Sequence, residues 1–140
     1  MNERNGNIAL LILRIGIGSM FILHGWPKLQ GGPDGWHRLG QNMQYLGINF
    51  LPTFWGFMAM VAEFFGGMLL IAGIAVRPAA ALMFITMLVA ALSNLGKGYG
   101  LEGIVEITEL GSALLALLIA GGGRYTPADV VNQHIKGPRL

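Results

Sequence analysis

The chain has no cysteine, which removes disulfides, thiolate-held iron–sulfur clusters and thiol catalysis from its own repertoire. Histidine is scarce too: only His24, His37 and His134 occur, and none forms a metal-ligand spacing with Asp or Glu. A bis-histidine haem would need a second histidine at the depth of His24. No Asn-X-Ser/Thr acceptor is present, and no GxxxxGK[ST] loop. The glycine-rich segments 96–103 and 121–123 therefore read as helix terminators rather than phosphate cradles. Charge is the rarest commodity. Only 11% of the 140 residues are charged, where soluble domains carry about 25%. The formal net charge of +2 is too small for a nucleic-acid surface.

Apolar residues fill the space, at 54% of the chain and a mean hydropathy of +0.59. So little charge cannot cover a water-facing surface, so the solvent that fits is a bilayer. Four runs have the ~20 residues needed to cross a hydrocarbon core: about 8–26, 54–76, 79–95 and 104–121. The first ends in His-Gly-Trp-Pro-Lys at 24–28 without a small-x-small cleavage site, so it is expected to be a retained helix rather than a signal peptide. Arg77-Pro78 is expected to punctuate the second run. The expected fold is an all-α membrane protein, a four-transmembrane-helix bundle in one domain over 1–140. A loop at 28–52, with an amphipathic helix around 36–46, would join helices 1 and 2, and the tail 122–140 would lie exposed.

Four spans put both termini on one side. Arg4, Arg77, Arg124, Lys136 and Arg139 fall on that side, and Lys28, Arg38 and Lys97 on the other. By the positive-inside rule the termini are expected in the cytoplasm of an inner-membrane protein, with the 28–52 loop extracytoplasmic. Trp26, Trp36 and Trp55 fit an aromatic belt at that outer face.

The chemistry is sought where charge is expensive. Arg14, Glu63, Glu106 and Glu109 lie within spans, where each costs about 2.5–3.5 kcal/mol at a helix centre. Counted from the outer ends, Arg14 lies ~18 Å in, Glu63 ~14 Å and Glu109 ~12 Å, which allows a shared buried cluster. Helical phase sets Arg14 with Gly18, Phe21 and Gly25, and Glu63 with Gly56, Ala59, Gly66 and Gly67. It sets Glu106 and Glu109 with Ala113, Ala116 and Ala120, while Thr86, Ala90 and Ser93 give the third span a milder polar face. A bundle with a polar interior is the expectation. Three carboxylates outnumber one arginine, so Lys28, His24 or Lys97 must reach in, or a glutamate must hold a proton. Glu106 and Glu109, at i and i+3, are candidates to share one. The plainer reading makes these groups interhelical glue that sets register.

Particular stretches resemble the DoxX/DoxD family. They are Leu11-Ile-Leu-Arg14 with Gly18, then Phe21-Ile-Leu-His24-Gly25-x-x-Lys28, then Glu63-Phe-Phe-Gly66-Gly67 through Gly73 to Arg77-Pro-Ala-Ala. Glu109 and Gly121-Gly-Gly-Arg-Tyr-Thr-Pro-Ala-Asp129 are similar to the family's closing segment. The resemblance implies a four-helix inner-membrane protein associated with redox systems, among them a thiosulfate:quinone oxidoreductase and a complex handling oxidative stress. It makes Arg14, His24, Lys28 and Glu63 the leading site residues, with Glu109 added. One function class is then a subunit of a quinone-linked oxidoreductase. In it Glu63 and His24 would act catalytically, and Arg14, Lys28, Glu106 and Glu109 would bind a quinone or another small molecule. No intrinsic cofactor or metal is expected, and electrons would come from a redox partner subunit or a soluble donor. The other class is a non-catalytic assembly factor, cargo receptor or small-solute carrier. Membrane lipid is a partner in both, and a homo-oligomer is compatible with either; a carrier of four helices would need one.

Overall fold

The computed structural model describes residues 2–136, with side chains through Val131. His134, Lys136 and Arg139 therefore lie outside the described side chains. Among the described residues the chain is helical, with no strand. Helix α1 spans Glu3–Gln30, α2 Gly32–Gly40, α3 Pro52–Ala72, α4 Val76–Gly96, α5 Val105–Ala120 and α6 Pro127–Lys136; short 3-10 turns cover Gln41–Leu46 and Glu102–Ile104. The helices α1, α3, α4 and the Glu102–Ala120 stretch through α5 are long and apolar enough to cross a membrane. Their outer faces carry Ile12, Leu23, Leu82, Ile85 and Ile119, all exposed. The chain is a multi-pass membrane protein.

The four spans pack as a ring, α1 on α3, α3 on α4, α4 on α5 and α5 back on α1. The tightest seam joins α1 to α3. The buried residues of α1 are Arg14, Gly18, Phe21 and Gly25, spaced four, three and four apart, so they share one face. A Cβ on Gly18 would stand 2.7 Å from the Gly67 carbonyl, and one on Gly67 would stand 2.6 Å from the Gly18 carbonyl. Glycine at both positions is what lets the two backbones touch. Between the other helices lie Phe21, Leu70, Ala80, Met83, Leu114 and Leu117, all fully buried.

Several boundaries move from those the hydropathy suggests. Helix α3 stops at Ala72 because Gly73 turns left-handed, with φ 73, and its amide and that of Ile74 cap the Leu70 and Leu69 carbonyls. Arg77-Pro78 therefore belongs to the first turn of α4, where proline removes no ladder bond. The loop helix is α2, ending at Gly40, and the residues to Leu46 form a 3-10 turn. This cap lies tightly on α3, since a Cβ on Gly40 would overlap the Pro52 carbonyl and one on Gly56 the Trp36 carbonyl. Trp36 adds an edge contact to Phe57, with ring centroids 5.0 Å apart.

The tail is also more ordered than its polarity suggests. Thr126 and Asp129 cap α6 reciprocally, the hydroxyl donating to Asp129 Oδ2 at 2.7 Å and the Asp129 amide donating back to the hydroxyl at 3.4 Å. Within the spans, the expected polar interior is confined among the described residues to Arg14, Glu63 and Ser93, because the buried face of α5 is Gly111, Leu114 and Leu117.

The α1–α3 seam yields a paired expectation. Gly67→Ala should destabilise the protein by about 1–3 kcal/mol, the usual cost of overpacking. Gly16→Ala, on the same helix as Gly18 but with nothing within 4 Å of its Cβ position, should be neutral or stabilising by about 0.5–1 kcal/mol. Thermal melting in detergent checks both.

Candidate functional site

Lys28 sits in the last turn of α1 and Glu63 half-way along α3. The seam sets their depth: a Cβ on Gly25 would stand 2.7 Å from the Phe64 amide, so the end of α1 runs beside the middle of α3. Lys28 Nζ donates to Glu63 Oε2, with the glutamate side chain 3% exposed and the lysine 27%. Trp36 of the cap donates from Nε1 to the Lys28 carbonyl at 2.8 Å, which fixes the backbone that carries the lysine.

This pair opens on a groove of about 560 Å³ between α3 and α4. Phe54, Met58, Phe65 and Leu69 form one wall and Leu82, Ile85 and Val89 the other; Met43 and Asn42 of the cap close one end, and Ala75 and Pro78 the other. From Phe54 to Leu69 the helical rise gives a length of roughly 22 Å. The lining is almost wholly apolar. Thr86 keeps its hydroxyl on the Met83 carbonyl at 2.7 Å, so the charge in the groove comes from Lys28 and Glu63. A polar group set within a long apolar trough suits a molecule with one polar head and one apolar tail.

The remaining candidate residues separate. Arg14 does not meet Glu63. Its Nη1 donates to the Gly122 carbonyl at 2.6 Å and its Nη2 to the Tyr125 carbonyl at 2.9 Å. The depth count fails because α1 continues to Gln30 and brings Glu63 level with Gly25, eleven residues or roughly 16 Å from Arg14. His24 Nε2 lies 3.2 Å from Glu106 Oε1 on the α1–α5 side, away from the groove lining. His24 and Lys28, four residues apart, still share a face of α1. Glu109 joins neither pair and is exposed. The carboxylate face of α5 points outward because Gly111, Leu114 and Leu117 form its buried face. Glu106 falls in its first turn, where the helix dipole favours negative charge. His37 Nδ1 lies 3.1 Å from the Thr53 hydroxyl on the surface.

Among the described residues no group of three His, Cys, Asp or Glu side chains could hold a metal ion. Residues 9–95 match the model of the DoxX family. The chain belongs to the DoxX family. A similar protein is "Putative oxidoreductase CatD" of Bacillus subtilis (strain 168), 30% identical over 91 residues. The match covers 65% of this chain and 63% of that protein's length. No solved structure matches. The DoxX match covers α1 to α4, hence Arg14, His24, Lys28, Glu63 and both groove walls; Glu106, Glu109 and the closing segment to Asp129 lie beyond it.

Asn42 and Met43 line the groove although neither spacing nor charge marks them in the sequence, and Thr86, expected on the milder polar face of the third span, lines it too. The partners of Arg14 are backbone carbonyls, which any residue could supply.

The buried pair predicts a non-additive response. Lys28→Met should destabilise the protein by about 3 kcal/mol, the low end for orphaning a buried charge, because Lys28 is partly exposed. Adding Glu63→Gln to it should recover most of that loss. A double-mutant cycle read by melting checks the coupling; additive losses would mean that the pair carries none.

Proposed function

We propose that this chain is the membrane subunit of a redox system and takes a quinone, or another small molecule with one apolar tail, into the α3–α4 groove. The observation that carries the reading is the Lys28–Glu63 pair set in an apolar groove of about 560 Å³. The name of the Bacillus subtilis relative, an oxidoreductase, lends it support.

The groups fit a quinone head. Lys28 is the more exposed partner, so a carbonyl oxygen entering the groove would meet its ammonium first. The lysine would donate to that oxygen and stabilise the negative charge that develops there on reduction. Glu63 would hold the lysine in place and balance its charge when the head leaves. Reduction of a quinone to a quinol takes up two electrons and two protons. The electrons are assigned to a redox partner subunit or a soluble donor; one proton would come from Lys28, to be restored from His24, one turn away on α1, and the second from solvent at the open side of the groove. His24 and Glu106 thus act behind the site rather than in it, and Arg14 holds the tail.

The orientation is read from the sequence count: Arg4, Arg77, Arg124, Lys136 and Arg139 on the side of the termini outnumber Lys28, Arg38 and Lys97 on the other, which by the positive-inside rule supports termini in the cytoplasm of the inner membrane, with the cap outside.

A second reading has one observation in its favour: the groove is apolar enough to take a lipid acyl chain, as an assembly factor or carrier could use it. Quinone binding separates the two. Wild-type protein should bind a long-tail ubiquinone in detergent, and Lys28→Met and Ala59→Trp, which fills the groove, should each weaken binding about tenfold, or ~1.4 kcal/mol. Equal binding in all three proteins, or occupancy by phospholipid that quinone does not displace, would move the weight to the lipid reading.

A further inference from the structure

The end of the bundle opposite the cap carries a separate cleft of about 560 Å³. Glycines 73 and 121–123 line it, together with Arg77, Arg124 and Asp129. Gly121 and Gly123 hold positive φ, 77 and 70, a backbone that suits glycine. Directly behind two of these glycines lies the Arg14 guanidinium, 1% exposed. A Cβ on Gly73 would stand 2.9 Å from both Nη atoms, and one on Gly122 would stand 3.3 Å from Nη1. Only bare backbone therefore separates this charge from the cleft.

The two carbonyls take one donor from each Nη of Arg14, its buried Nε has no hydrogen-bond partner, and its charge is uncompensated, for no carboxylate among the described residues lies within 4.0 Å of it. Arg77, exposed at the rim, likewise has no carboxylate partner among them and donates from Nη2 to the Ile119 carbonyl at 3.2 Å. Arg124 lies 3.8 Å from Glu3, both largely exposed, a pair of little weight. The carboxylate that does line the cleft, Asp129, accepts from the Thr126 hydroxyl and sits in the first turn of α6, where the helix dipole already favours it. Arg77 and Arg124 in the lining, with Arg14 behind it, outnumber the one lining carboxylate, Asp129, so the cleft is net positive, and low-dielectric walls focus that field.

We infer that this cleft binds a phosphate-bearing anion, with Arg77 as the contact residue and Arg14 acting through the glycine wall. The guanidinium fork of Arg77 matches two phosphate oxygens. The cleft lies between the first turn of α4 and the last turn of α5, where spans of this length end. An anionic phospholipid headgroup and free phosphate share this chemistry.

The test is native mass spectrometry of the full chain released from mixed phosphatidylcholine–phosphatidylglycerol bilayers. Wild type should retain phosphatidylglycerol over phosphatidylcholine. Arg77→Gln should lower that retention about tenfold, and Arg77→Lys, which keeps the charge and loses the fork, a few-fold. Arg38→Gln, which removes one charge from the cap end, should leave retention unchanged. Competition by inorganic phosphate would assign the site to free phosphate, and its absence would assign it to the headgroup. Retention unchanged in both Arg77 variants, or lowered equally by Arg77→Gln and Arg38→Gln, would overturn the inference.

Discussion

Backbone contact between α1 and α3 is the constraint from which the rest of the structure follows. In lipid, apolar side chains gain little by leaving their surroundings, so helices associate through close packing and polar contacts. Gly18 against Gly67, and Gly25 against Phe64, supply the closest packing in the bundle. They fix the relative depth of the two helices to within a residue. Once that depth is set, Lys28 has Glu63 within reach, and Arg14 is left at the opposite end beside Gly73 and Gly122. Neither pairing involves a choice among side chains, since the seam has already made it.

The α3–α4 pair shows what happens where such contact is missing. Gly66 meets the flexible Met83 side chain rather than backbone. At the cap end the 3-10 turn contacts both helices, with Tyr45 against Gly96. The cap thus braces α4 as well as lying on α3, and the space between the helices is left as a groove. Small residues at Ala59, Ala62, Ala79 and Ala90 widen it where larger ones would fill it. A single ion pair inside such a groove is neutral overall and asymmetric in access, with the acid hidden and the base partly open. That asymmetry would favour an incoming acceptor, which meets a donor, over an incoming cation, which would have to displace Lys28 from Glu63.

The periodic parts of this arrangement were legible in the sequence. Four spans could be counted from hydropathy, and the buried face of α1 is the one that phase selects: Arg14, Gly18, Phe21 and Gly25. The same reasoning fails on α5, where the stripe of Glu106, Glu109, Ala116 and Ala120 is turned outward and Leu114 and Leu117 face in. Phase alone cannot say which face of a membrane helix is inside when lipid and core are both apolar. The charge cluster failed for a different reason. Depth was counted from the outer span ends, and both ends move, since α1 runs past Trp26 to Gln30 and α3 begins at Pro52 rather than Phe54. An error of a few residues at 1.5 Å each is enough to exchange one ionic partner for another. That Lys28 would reach inward was foreseeable from the excess of carboxylates over arginine. That Arg14 would end on carbonyls of the tail was not, because backbone acceptors leave no mark in a sequence.

The two ends of α1 divide the labour of the molecule. Everything that forms the groove, its two walls, its cap and its ion pair, lies within residues 9–95, the stretch matched to the DoxX family. The parts beyond it act at the other end. Helix α5 closes the ring against α4 and α1, and the glycine turn that follows it folds over Arg14. A charge that would be costly alone in the bilayer is thereby used to hold a tail that has few apolar residues to hold itself. The groove depends on this indirectly. With the tail fastened, the seam end at Gly73 is closed off, and α1 keeps the depth at which Lys28 meets Glu63. The buried arginine and the buried glutamate, which never touch, therefore stabilise the same register, Arg14 from the middle of α1 and Glu63 through Lys28 in its last turn.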